Sequence, residues 1–139
     1  MSTIFTQIVD GEIPADIVYE NETTCAFLDA NPLAPGHTLV IPKDEYTRID
    51  DLPADVAREL FATVHRLVPA VEDAVDADAT TVGFNNGTAA GQEVDHVHCH
   101  IVPRFEDDAG GTLHSALGGP TELADDDRES IAADIESRV

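Results

Sequence analysis

The run His96-Val97-His98-Cys99-His100-Ile101-Val102 constrains the fold more than any other stretch of the 139 residues. Polar and apolar side chains alternate there with a period of two, as in a β-strand with one buried face. A strand over His96–Val102 puts His96, His98 and His100 on one face, successive rings about 6.6 Å apart. Val97, Cys99 and Ile101 then face the core. Three imidazoles on one face need a reason beyond packing. One possibility is a metal site, since imidazoles at i and i+2 can share an ion. The other is phosphoryl chemistry. Neutral imidazole is a nucleophile near pH 7, imidazolium donates to phosphate oxygens, and close neighbours hold each other in different protonation states.

The other elements follow from pattern and punctuation. Thr3–Val9 reads as a short helix ended by Asp10-Gly11. Ile17–Tyr19, Thr24–Leu28 and His37–Ile41 read as strands, the third stopped by Pro42. Asp51 is placed to cap a long helix over residues 53–75, with Pro53 in its first turn and Pro69 as a kink. Its apolar stripe is Val56, Leu60, Val64, Leu67, Val68, Val71 and Val75, which leaves His65 on the surface. Thr80–Phe84 is a fourth strand before the turn-rich 85–91, and the fifth ends at Pro103. Beyond Arg104 come a Gly-rich acidic loop, with His114 unassigned, and a closing helix over Asp125–Glu136 with Ile131 and Ile135 on one face. The expected fold is α+β: about five antiparallel strands, one long helix and short terminal helices, in a single domain of residues 1–139.

Charge sets the limits on function. Acidic residues number 28 against 7 basic, a net charge of −21, and Lys43 is the one lysine. Direct DNA binding through a basic face is excluded. The acid is spread along the chain, which reads as a solvated surface tolerated where salt screens it. A salt-adapted cytoplasm is the expected setting. No apolar run approaches the ~20 residues of a membrane helix, and Asp10 and Glu12 close to an uncharged start argue against a signal peptide. Cys25 and Cys99 read as free thiols, Cys99 as packing rather than redox chemistry.

Residues Gly91-Gln92-Glu93-Val94-Asp95-His96-Val97-His98-Cys99-His100-Ile101-Val102-Pro103-Arg104 closely resemble the signature of the histidine triad (HIT) superfamily. Glu12–Ala15, Phe27-Leu28-Asp29, the Pro35–Lys43 stretch and Asn85-Asn86-Gly87 extend the resemblance to its Hint-like branch, over about residues 3–105. The resemblance implies a nucleotide hydrolase or nucleotidyl transferase. It would act on a nucleoside phosphoramidate, an adenylated amine or a dinucleoside polyphosphate, with a purine nucleotide as substrate and no cofactor. It also implies a homodimer joined through a continuous sheet.

Roles carry over position by position. His98 matches the nucleophile that attacks the α-phosphorus and forms a covalent nucleotidyl-histidine. His100 and His37 match donors to the phosphate oxygens, and His96 the orienting member. Gln92 matches a group at the leaving-group end, with Asn85 and Gly91 on the phosphate side. Asp29 matches the acid that holds the ribose hydroxyls. Phe5, Ile8, Phe27 and Leu39 match the walls around the base. Glu93 departs from the small polar residue usual in relatives, and a carboxylate there bears on the leaving group.

A second departure concerns metal. Many relatives hold a structural zinc through Cys-x-x-Cys, a later histidine and the first triad histidine; here those positions are Thr3, Thr6, Glu45 and His96. Hydroxyls are poor substitutes for thiolates, so no metal is expected. Two other functions stand beside the hydrolase. One is a non-catalytic nucleotide-binding or adaptor protein. The other is a metal-dependent hydrolase that uses His37, His96, His98 and His100 as ligands.

Overall fold

The computed structural model describes residues 2–139, which divide into two compact units, residues 2–108 and 109–139. In the first, β1 (Ile17–Glu20), β2 (Thr24–Leu28), β3 (Thr38–Pro42), β4 (Ala79–Gly83) and β5 (Cys99–Arg104) form one antiparallel sheet in the order β1-β2-β3-β5-β4. Helix α1 (Ile4–Val9) and helix α2 (Ala54–Val75) complete the unit. The α+β architecture expected from the sequence is observed.

Register explains how the sheet serves two sides. Ala26 pairs with Val40 and Val40 with Cys99. These side chains pack with Leu60, Val64, Leu67 and Val71 of α2, so the apolar stripe of that helix finds its partner here. One residue along, Phe27 pairs with Leu39 and Leu39 with His100. The pleat turns this row to the opposite face. There Phe27 and Leu39 pack with Phe5 and Ile8 of α1, joined by Cys25 and Ile41. A shift of one residue in any pairing would exchange the two faces.

Two local expectations change. The fifth strand begins at Cys99, not His96, and runs through Pro103, which pairs with Thr80. Residues 96–98 lie outside the ladder because Val97 N–H donates instead to the Tyr46 carbonyl at 2.7 Å. Asp51 does not cap α2. Its carboxylate accepts the Arg48 N–H at 3.0 Å in a 3-10 turn over Ile49–Asp51, and Pro53 occupies the N-cap position. Pro69 lies within α2 on its exposed side, and the helix runs on to Val75.

In the second unit, α3 (Leu113–Ala116) forms a helical turn where a loop was expected. Thr112 caps it by accepting the Ser115 N–H. Helix α4 (Asp125–Arg138) carries Asp125, Asp126 and Asp127 in its first turn and Arg138 in its last, the polarity its dipole favours. Ile131 and Ile135 are exposed on it. Among the described residues no helix is long and apolar enough to cross a membrane.

Candidate active site

A cavity of about 590 Å³ opens on the α1 side of the sheet, within the range usual for small-molecule sites. Phe5, Ile8, Phe27 and Leu39 form apolar wall, and Asp29, Asn85, Gly91, Glu93, His98 and His100 supply its polar groups. Ten of the thirteen expected site residues therefore meet on one cavity. His37, His96 and Gln92 sit behind its wall, buried.

The hydrogen bonds assign the histidine tautomers, because backbone carbonyls only accept and backbone N–H groups only donate. His98 Nδ1 lies 2.7 Å from the His96 carbonyl, so Nδ1 carries the proton and Nε2 the lone pair. Leu33 N–H donates to His37 Nδ1 at 3.0 Å, so the His37 proton is on Nε2. That proton points to His100 Nδ1 at 2.9 Å, which leaves the His100 proton on Nε2. His100 Nε2 is buried and has no protein partner. The site thus presents a bare imidazole nitrogen on His98 beside an unspent N–H on His100, with ring centroids 5.1 Å apart.

Burial favours the neutral form of His100 and His37. It pushes the His100 imidazole down to about 4, helped by His98 and His37 and opposed by Asp29. Burial also lowers His37, against the pull of Asp29, whose Oδ2 lies 3.6 Å from His37 Nε2. Asp29 is itself fixed, since its Oδ1 accepts the Asn31 N–H at 2.8 Å. Phe5 closes the other flank, its ring edge-on to His98 at 5.0 Å and to His96 at 5.8 Å.

Gln92 does not reach the cavity. Its Oε1 accepts the Gly87 N–H at 2.7 Å and its Nε2 donates to the Thr47 and Val94 carbonyls at 2.6 and 2.9 Å. It braces the loop that brings Asn85, Gly91 and Glu93 to the cavity. That loop needs glycine at 87, where φ is +97° and a Cβ would run into the Arg48 guanidinium. The walls also include Ile4, Ile13, Asp16, Asn31 and Val94, none of which was singled out from the sequence as a site residue. Ile13 and Asp16 lie in or beside the Glu12–Ala15 motif, and that position was the available signal. His65 is exposed and does not line this cavity, and His114 is exposed in the second unit.

Two groups of possible metal ligands are engaged in hydrogen bonds instead. One ligand atom from each of Asp29, His37 and His100 lies within 4.8 Å of the others. Coordination through His37 Nε2 would move its proton to Nδ1, against the Leu33 N–H that already points there. At the zinc-like positions, Thr3, Thr6, Glu45 and His96 do come together, but as a hydrogen-bonded group. Thr3 Oγ1 lies 2.8 Å from His96 Nδ1, and Thr6 Oγ1 donates to Glu45 at 2.6 Å. His96 Nε2 is committed to the Pro42 carbonyl at 2.8 Å, so neither ring nitrogen is free.

A five-stranded α+β frame with an imidazole pair among the residues that line one cavity defines the class of protein. The HIT domain family model matches residues 10–107, and the chain belongs to that family. It is 48% identical over 105 residues to an uncharacterized HIT-like protein of Methanocaldococcus jannaschii, covering 76% of this chain and 81% of that one. It is 34% identical over 131 residues to an adenosine 5'-monophosphoramidase of Candida albicans, covering 91% and 84%. The solved structure of SMU.412c from Streptococcus mutans UA159 superposes with a TM-score of 0.87 at 36% identity, over 97% of this chain and 83% of that one.

Proposed function

We propose that the chain is a nucleotide hydrolase that cleaves at the α-phosphorus through His98. The carrying observation is the tautomer set: a lone pair on His98 Nε2 at the cavity, beside the unpartnered N–H of His100. In the first step His98 Nε2 forms a bond to phosphorus while the bond from phosphorus to the leaving nitrogen or oxygen breaks. The leaving group departs with its electron pair and takes up a proton from solvent, and the water of the second step returns one to solvent when it adds to phosphorus. The proton stays on His98 Nδ1, hydrogen-bonded to the His96 carbonyl, whose dipole stabilises the positive charge that develops on the ring. In the second step water adds to phosphorus, the N–P bond breaks, and a nucleoside monophosphate leaves. His100 Nε2–H, aligned by His37, donates to the phosphoryl oxygen as negative charge grows. Dividing the displacement lets a neutral nucleophile approach an anionic centre twice.

The remaining assignments support a purine nucleotide. Phe5, Ile8, Phe27 and Leu39 give an apolar wall for the base, and the Asp29 carboxylate can accept from ribose hydroxyls. Phosphoramidates and adenylated amines suit the site best. Glu93 and Asp16 line it and no lysine or arginine does, so a polyanionic leaving group meets repulsion there. The same reading places the protein in a salt-adapted cytoplasm and pairs it as a homodimer by extending the sheet at an edge strand; β1 and β4 are the two edges. The test is AMP release from adenosine 5'-phosphoramidate before and after exhaustive chelation. Equal rates support the reading. Tight AMP binding without turnover would replace it with a binding protein, and loss on chelation with a metal enzyme.

A further inference from the structure

We propose that Thr3 and Glu45 are positioning residues of the site: through one chain of hydrogen bonds they hold the His96 ring against the Pro42 carbonyl and anchor α1, and so hold His98 and the Phe5 wall in register. The inference rests on the hydrolase reading for its kinetic readout only.

The chain can be followed atom by atom. The Pro42 carbonyl accepts from His96 Nε2, so that nitrogen carries the proton and Nδ1 is a bare acceptor. The Thr3 hydroxyl therefore donates to His96 Nδ1 at 2.8 Å. Its oxygen also accepts the Thr6 N–H at 3.1 Å, which caps α1. The Thr6 hydroxyl oxygen lies 3.3 Å from Thr3 Oγ1 and gives its own proton to Glu45 Oε1 at 2.6 Å. The same Oε1 accepts the Thr3 N–H at 2.7 Å. One carboxylate oxygen therefore fixes both threonines, and one hydroxyl fixes both a helix start and a buried imidazole.

What this chain controls lies two residues further on. The His96 carbonyl is the acceptor that puts the His98 proton on Nδ1 and frees Nε2 for attack. Helix α1 carries Phe5, whose ring edges lie against both His96 and His98, and Ile8 of the cavity wall. His96 is fully buried, so an unpaired Nδ1 would have no water to turn to. Rotation of the His96 ring to find another donor would release the Pro42 carbonyl and disturb the carbonyl on which His98 depends.

The test compares Thr3→Val, Thr3→Ser, Glu45→Ala and Glu45→Gln with the unaltered chain. Two readouts are used: steady-state kinetics on adenosine 5'-phosphoramidate, and the 15N shifts of the His96 and His98 ring nitrogens. Thr3→Val and Glu45→Ala are expected to lower kcat about tenfold or more, by analogy with loss of groups that orient a reactive ligand, with a smaller change in KM. Their 15N spectra should show His98 losing its single tautomer. Thr3→Ser and Glu45→Gln each keep the required atom and should recover most of the loss. Thermal melts identify any variant that fails to fold, and the paired conservative variants then carry the comparison. Unchanged kcat and unchanged ring shifts in folded Thr3→Val would overturn the proposal. If the unaltered chain shows no turnover, the hydrolase reading fails, and the 15N shifts alone still decide this one.

Discussion

The two ends of the His96–His100 run have the same residue type at the same spacing and opposite fates. His96 is fully buried with both ring nitrogens engaged, one by Thr3 and one by Pro42. His98 and His100 each spend one nitrogen on the protein and bring the other to the cavity side. The difference comes from what lies nearby. At one end the start of α1 and the end of β3 supply a donor and an acceptor; the other end lines a cavity. Imidazole spacing marks a reactive cluster, but only the surrounding backbone divides it into a part that holds and a part that reacts.

That division can be broken by exchanging what is lost. The largest effect is expected from His98→Asn, which should lower kcat about 10³-fold or more while leaving AMP affinity and the urea midpoint near those of the unaltered chain. Full turnover would remove the nucleophile from the account. His100→Ala deletes the donor to the phosphoryl oxygen, and a fall in kcat of about 10²-fold is expected. His96→Ala should behave in the opposite sense. It leaves the Thr3 hydroxyl and the Pro42 carbonyl unpaired and opens a buried space, at a cost of about 2–4 kcal/mol in urea unfolding. If His96→Ala proves as stable as His98→Asn, the contrast between the two ends is wrong.

Acid sharpens the same comparison by a smaller amount. The folded protein holds His100 down to about 4, and His37 and His96 also below the ordinary value of 6.5. The unfolded chain therefore binds more protons than the folded one in this range. Stability is complete above about pH 6.5 and is lost as pH falls toward 4. The urea midpoint should drop between pH 7.5 and pH 5, and less so in His100→Ala. A flat profile would contradict the buried neutral cluster. The smallest and most general effect concerns the net charge of −21. Raising KCl should raise the urea midpoint by screening self-repulsion. A midpoint that falls with KCl would contradict the salt-adapted surface.

Much of this was legible in the sequence where periodicity and punctuation agree. Thr24–Leu28 and the α2 stripe follow from side-chain period alone, and the turn of Cys99 into the core opposite His100 follows from alternation. What the pattern could not show depends on partners distant in the chain. The start of β5 at Cys99 is set by the Tyr46 carbonyl, which takes the Val97 N–H. Asp51 has the right type for a helix cap but closes a 3-10 turn on Arg48. Gln92, assigned to the substrate by resemblance, is instead used up by Gly87, Thr47 and Val94. Asp16 and Ile13 reach the cavity only because the loop after α1 folds beside Phe27. Glu45 drew notice only as a missing ligand, and its use to fix two threonines needed the coordinates.

The bond between His98 Nε2 and phosphorus is the claim on which the rest depends, and trapping tests it most directly. The protein is mixed with a slowly hydrolysed adenylate analogue, quenched, digested and read by mass spectrometry. The account predicts an added adenylate on a peptide containing residues 96–104, localised by fragmentation to His98 and absent in His98→Asn. An adduct on any other residue, or AMP formed in a single turnover with no adduct at any time, would contradict it.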